Sequence, residues 1–202
     1  MNGRQWAPAV LILAGLVLAT GGCVHTRISD FRDPGFARQR FHRIAVDYLE
    51  RGLRHKEQGE QTLARTLEEE TERLEAIPCS RIVPPTRDYS DQEFADRLRQ
   101  HGCDGYLVVR LTDKEYSHHG PHGHAGMVFD ADVEDLAEFI LEESADNVNL
   151  CYHLELIEVE GSRCVWTASS ETLANEWASF PRAIRSLGRK VAGRLRAGGY
   201  VR

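Results

Sequence analysis

Apolar and polar positions alternate most regularly in two stretches of this 202-residue chain. In VNLCYHLELIEV, Val148, Leu150, Tyr152, Leu154 and Leu156 fall on one side of a strand, and in RIAVDYL so do Ile44, Val46 and Tyr48. GYLVVRL is apolar on both sides apart from Arg110, the pattern of a strand covered by helices on both faces. CVWTASSET follows the turn residues Gly161-Ser162 and forms a hairpin with the strand before it. Its register stays open, because a shift of one residue moves Trp166 to the other face. SRIVPP is expected to be a short strand, ended by Pro84-Pro85.

Between these strands the period changes to that of a helix. EQTLARTLEEETERL places Leu63, Leu67 and Leu74 on one face with acids opposite. SDQEFADRLRQHG carries a capping box, Ser90 with Glu93, and Gly102 as its stop. DVEDLAEFILEESA repeats Val133, Leu136, Ala137, Ile140 and Leu141 at helical spacing. Ser179 and Pro181 open a last helix that runs to Ala197 and stops at Gly198-Gly199, with Ile184, Leu187, Val191 and Leu195 as its core stripe. The order β-α-β-α-β, insertion, β-β-α predicts an α/β fold with a three-layer mixed sheet. One domain spanning residues 41–202 suffices for a chain of this length, with an insertion at 113–146 that is long for a plain loop.

The N-terminal segment belongs to a different class. A free amine and Arg4 precede APAVLILAGLVLAT, and the small pair Gly21-Gly22 stands before Cys23, the three parts of an export signal over residues 1–22. The apolar core is shorter than the ~20 residues of a spanning helix. ATGGC resembles the lipobox of bacterial lipoproteins, which implies cleavage before Cys23, diacylglycerol on its thiol and an acylated new amine, commonly palmitate. Thr20 stands where that pattern favours Leu. The competing reading is ordinary secretion with cleavage after Gly21. One acyl chain binds marginally and two or three hold a protein firmly, each buried methylene contributing about 0.8 kcal/mol. Val24 in place of an Asp after the cysteine implies, by the same resemblance, the outer membrane and its periplasmic face. Residues 23–40 contain Pro34-Gly35 and lack periodicity, so they are expected to be a lipid-anchored tether. Such a tether reaches at most ~60 Å extended and averages ~20–25 Å as a coil.

FHRIAV, RIVPP, HGCDGYLVVRL, CVWTASSET and the closing helix resemble envelope lipoproteins whose domain is related to the N-terminal domain of TolB, to the curli secretion lipoprotein and to the lipoprotein activators of penicillin-binding proteins. The resemblance covers about residues 41–202, with the insertion as a departure. It implies a TolB N-terminal-like fold, brings no catalytic residues, and includes ring-forming members, so homo-oligomerisation is one expectation.

Composition adds four candidate features. His118, His119, His122 and His124 crowd into SHHGPHGHAG near Asp130 and Asp132, a ligand set for Zn, Ni or Cu if the chain gathers two or more nitrogens; the alternative is a solvated loop tip. Cys79, Cys103 and Cys164 fall at one end of the expected sheet, so one disulfide among them is expected in an oxidising compartment, with Cys151 at the other end. Charge is segregated: no Lys or Arg lies between Glu115 and Ser162, and no acid between Pro181 and Arg202. Arg182, Arg185, Arg189 and Lys190 on the last helix are therefore candidates for contact with an anionic surface, against the alternative of a solvated helix face. Without the signal, 24 basic residues face 31 acidic ones, a net charge of −7 that gives no reason to expect nucleic acid.

No G-x-S-x-G, H-E-x-x-H or phosphate-binding G-x-x-x-x-G-K occurs, and no enzyme activity is expected. The leading expectation is a non-catalytic binding or structural accessory of the cell envelope, anchored in the outer membrane through Cys23 and meeting an envelope protein partner. A metal-binding module on the His-rich insertion is the alternative. An activator of cell-wall synthesis enzymes ranks behind both, because a short tether cannot cross to the inner membrane.

Overall fold

The computed structural model describes residues 23–36, 40–50, 52–117, 147–175 and 178–202. These form strands β1 (Val24–Arg32), β2 (Arg43–Leu49), β3 (Glu75–Pro78), β4 (Gly105–Ser117), β5 (Asn147–Glu158) and β6 (Arg163–Asn175). The helices are α1 (Leu53–Glu70), α2 (Cys79–Ile82), α3 (Asp91–Gln100) and α4 (Phe180–Gly198). The strands make one six-stranded sheet in the order β1-β6-β5-β4-β2-β3. β3, β2 and β4 run parallel, and the remaining neighbours antiparallel. The mixed α/β sheet is the one expected from the alternation of its strands.

One face of the sheet is buried beneath α1 and α4. Ile44, Val46, Tyr48, Leu107, Val109, Leu154 and Leu156 meet Leu63 and Leu67 of α1 and Ile184, Leu187, Val191 and Leu195 of α4 in one apolar cluster. The four α4 residues are the predicted stripe, each fully buried. Gly199 closes that helix in the left-handed conformation, φ 77°. Among the described residues, the opposite face is covered only over its parallel part, where α2 and α3 enclose Ala45, Ile82, Leu98, Cys79 and Cys103. Ser90 accepts from the Glu93 amide and the Glu93 carboxylate accepts from the Ser90 amide, as the sequence predicts for the start of α3. Trp166 pairs with Leu156 and lies 1% exposed under α4, so the hairpin register points it inward.

Several expectations are corrected. Residues 24–32 are not tether but edge strand β1, paired residue for residue with β6 from Val24↔Ala174 to Arg32↔Trp166. Its inward side is Thr26, Ile28 and Asp30, too polar to stand out as a buried stripe, yet each finds a partner. Thr26 Oγ1 bonds Thr172 Oγ1 at 3.0 Å and Ser186 Oγ at 2.8 Å. Asp30 Oδ2 accepts from the buried Trp166 indole at 3.0 Å. The second correction moves the strand predicted in SRIVPP upstream to Glu75–Pro78; Cys79–Ile82 is a helical turn. α1 also begins earlier and ends sooner than its leucine pattern implied, and residues 113–117 belong to β4 rather than to the insertion. The amphipathic segment at 133–141 lies outside the described residues.

α1 lies close on the sheet because Gly59 sits over Tyr48: a Cβ there would be 2.5 Å from the ring. Gly59→Ala is therefore expected to destabilise the fold by about 1–3 kcal/mol. Gly193 of α4 has nothing within 4 Å of its would-be Cβ, and Gly193→Ala is expected to stabilise by about 0.5–1 kcal/mol. Urea unfolding of the two variants beside the parent checks both signs.

Candidate functional site

Cys23 is exposed and stands immediately before β1, its carbonyl accepting from the Asn175 amide at 3.3 Å. The residue proposed for lipidation is thus hydrogen-bonded to the sheet itself. Beside it, on the face that no described helix covers, β1, β6, β5 and the end of β4 enclose an open groove of about 310 Å³. His25, Leu173, Asn149 and Glu115 form one row across it, and Arg27 and Glu171 begin the next.

A second constellation lies on the inner face. A bulge between Leu111 and Asp113 reverses the parity of β4, so that Lys114 and Tyr116 pair with the buried Leu150 and Val148. The side chains of Lys114 and Tyr116 therefore turn inward, Lys114 Nζ lying 5.6 Å from the Tyr116 ring centre. Near them is Glu50, just past the end of β2, and below it Tyr48 and Tyr152 with hydroxyls 3.4 Å apart. Burial pulls the Lys114 ammonium down to about 8, against the opposing attraction of Glu50. Burial likewise raises the Glu50 carboxyl, with His55 and Lys114 pulling it back. Glu50 Oε2 and the Tyr116 hydroxyl are buried and lack a hydrogen-bond partner among the described residues. Of this cluster Lys114, at about 8, is the group whose proton exchanges nearest neutral pH, and the unpaired polar atoms beside it cost stability.

A third polar group is better satisfied. Lys56 of α1 contacts Asp47 on β2 and lies 2.9 Å from Glu60 Oε1, while Tyr106 donates to Asp47 Oδ2 at 2.6 Å and the Ser80 amide to Glu60 Oε2 at 3.0 Å. Burial would lower the Lys56 ammonium, but Asp47 and Glu60 outweigh it and the net shift is upward. This network joins α1, β2, β4 and α2 by charge where apolar packing is thin, and reads as a structural joint.

The structure separates the other sequence candidates. His118, His119, His122 and His124 lie outside the described residues; among the described residues, no three His, Cys, Asp or Glu side chains gather to hold a metal. Cys79, Cys103 and Cys164 are free thiols rather than one bridged pair. Cys79 and Cys103 both lie in the smaller core beneath α3, with no bond between their sulfurs. Cys164 stands two strands away and is exposed. Burial raises the Cys79 thiol well above its usual range and Cys103 to about 11, which leaves both unreactive. Arg182, Arg185, Arg189 and Lys190 are all exposed on α4, but Arg189 lies 3.3 Å from Glu70 of α1.

The Lys114 cluster could not have been found from spacing, because the bulge that turns it inward changes the strand's parity. The groove was hidden for a related reason, since its first wall is the strand mistaken for a tether.

No protein-family model and no curated protein matches the chain. Among solved structures, a point variant of PelC from Paraburkholderia phytofirmans, crystallised as a dodecamer, is similar over 88% of this chain and 100% of its own, with 14% identity and a TM-score of 0.52. Lipoprotein GNA1162 from Neisseria meningitidis matches over 77% of this chain and 98% of its own, at 10% identity and a TM-score of 0.39. TolB from Acinetobacter baumannii matches over 87% of this chain and 31% of its own, at 13% and 0.35. At such identity the PelC likeness is one of fold.

The buried cation makes its own prediction. Lys114 with a depressed folded-state pKa costs stability below about 8, and the cost is relieved as pH rises toward the 10.5 of the unfolded chain. Lys114→Met should raise the melting temperature by a few degrees at pH 7. Differential scanning calorimetry should then show the gain shrinking between pH 8 and 10.5; a gain that does not change with pH counts against a buried ammonium.

Proposed function

We propose that this chain is a periplasmic lipoprotein, anchored in the outer membrane through acyl chains on Cys23, which serves as a non-catalytic structural accessory of the cell envelope and assembles with copies of itself. The observation that carries the reading is the position of Cys23: exposed, directly behind an export-type signal, and at the head of an edge strand. An anchor placed there needs no spanning segment, and no helix among the described residues is long and apolar enough to cross a membrane. Self-assembly is supported by the fold, on which PelC builds a dodecamer. It fits a surface whose uncovered sheet face displays Phe31 at 67% and Leu173 at 47% exposure. The lack of a linker between anchor and sheet favours action close to the holding membrane, over a reach across the periplasm.

Intact-mass measurement of the protein expressed with its signal is expected to show diacylglycerol and an N-acyl chain on a chain beginning at Cys23. Cys23→Ala should move it from the membrane to the soluble periplasmic fraction. Mass photometry of the lipidated protein in detergent should give a closed multimer. An unmodified Cys23 overturns the anchor, and a monomer at micromolar concentration overturns the assembly.

A further inference from the structure

The structure ties the anchor of the proposed function to the sheet without slack, and this fixes what lies at the membrane. Val24 is already paired with Ala174, and the Cys23 carbonyl is held by the Asn175 amide. Antiparallel strands rise about 3.4 Å per residue, so His25 lies roughly 7 Å and Arg27 roughly 14 Å from Cys23 along β1. The headgroup layer of a bilayer is roughly 5–8 Å deep on each side. With acyl chains on Cys23 and β1 along the membrane normal, the row of His25, Leu173, Asn149 and Glu115 lies at headgroup depth, and the Arg27 and Glu171 backbones lie about 6 Å beyond that layer, a gap that the long Arg27 side chain can span.

The groove that these residues line has an unusual balance. Arg27 and Glu171 stand directly opposite each other in register, on adjacent strands, yet among the described residues neither forms an ion pair. One row nearer the anchor the groove offers the His25 imidazole, an N–H donor, on β1 and the Glu115 carboxylate on β4, with the half-exposed Leu173 beside His25. Opposite charges held side by side but unpaired, with an apolar side chain between them and the bilayer, complement a phosphate and an ammonium joined by a short hydrocarbon link. A guanidinium takes a phosphate in two parallel hydrogen bonds and a carboxylate takes an ammonium.

We propose that the groove between β1, β6, β5 and β4 seats the headgroup of a zwitterionic phospholipid, of the phosphoethanolamine class, from the membrane that holds Cys23. The phosphate lies on Arg27 and His25, the ammonium on Glu171 and Glu115, and Leu173 touches the start of the lipid's apolar part. Anchor and headgroup together then hold the domain with β1 upright on the membrane. This rests on lipidation of Cys23, and the test separates the two claims.

Lipidated protein is released from membranes of mixed phosphatidylethanolamine and phosphatidylglycerol into mild detergent and examined by native mass spectrometry. Expected is one retained phosphatidylethanolamine beyond the covalent lipid. Its occupancy should fall about tenfold in Arg27→Glu and in Glu171→Lys, as the loss of one charge-assisted contact implies, and recover when both charges are exchanged together. In parallel, bimane is attached at Leu173→Cys or Phe31→Cys, each in a Cys164→Ser background, and the protein is placed in bilayers with headgroup-region quenchers. Quenching at position 173 should be roughly tenfold that at 31, which lies six strand residues, about 20 Å, beyond His25. Absence of the covalent lipid overturns the anchor and this proposal with it. A lipidated chain that retains no phospholipid, retains phosphatidylglycerol equally, or loses none in the charge variants overturns the headgroup seat alone. Equal quenching at 173 and 31 overturns the upright placement.

Discussion

The fold depends on β1 being held in the sheet. A strand at an edge has only one neighbour, and its inner side here is too polar to be retained by apolar burial. What holds it is a set of polar contacts with α4. Arg194 donates to the Ile28 carbonyl at 3.1 Å and lies 3.5 Å from Asp30, Arg32 donates to the Ala197 carbonyl at 3.1 Å, and Ser186 bonds Thr26. Asp30 also takes the indole hydrogen of Trp166, so a core aromatic and two surface cations converge on one carboxylate. Removing that carboxylate would leave a buried N–H without a partner, which costs about 1–3 kcal/mol. The same arginines occupy the outer edge of β1, where an open row of backbone groups would otherwise recruit another strand. The charge of α4 is thus partly committed inside the molecule: Arg189 serves α1 and Arg194 serves β1.

The two halves of the sheet are finished differently. The parallel half, β3-β2-β4, has helices on both faces and an ionic joint at Lys56. The antiparallel half has one face beneath α4 and one that no described helix covers. The bulge in β4 marks the change between them. It lets Val108 remain under the helical cover while Lys114 and Tyr116, farther along, turn to the side where Leu107 and Val109 point. A buried ammonium, a carboxylate with an idle oxygen and an unpaired phenol are a poor choice for stability alone. Their retention in an otherwise well-filled core sets this place apart from the Asp47 network, where nearly every polar atom has a partner.

Much of this was legible in the residues. Period-two runs located β2 and β5 because a single apolar face leaves no second way to place them, and Ser90 with Glu93 marked the start of α3 to the residue. Failures occurred where local chemistry departs from apolar patterning. β1 is stabilised through Thr26 and Asp30, whose partners are 146 and 136 residues away, so no local signal announces it. Pro78 ends β3 while Ile82 and Val83, which look like strand, pack into the smaller core beneath α3. The cysteine argument lost its topological premise with that boundary, since moving β3 upstream carries Cys79 from one end of its strand to the other. Of the candidate sites, Cys23 could be proposed from sequence because the pattern around it is contiguous. The groove and the Lys114 cluster were not, since both are defined by which strands lie side by side.

A load on the proposed anchor would enter the domain in a particular direction. Hydrogen bonds between antiparallel strands run perpendicular to the strand axis. A pull on Cys23 along β1 therefore stretches the whole ladder from Val24 to Arg32 in parallel, instead of opening it one bond at a time from an end. The far end of β1 is further fastened by Arg32 to α4 and by the Asp33 amide to the Val165 carbonyl at 3.1 Å. A flexible tether would spare the sheet such a load but leave the domain free to tumble. Inserting the segment next to the anchor as an edge strand exchanges that freedom for orientation, and orientation is what any assembly of copies standing on one membrane requires if their side faces are to meet in register.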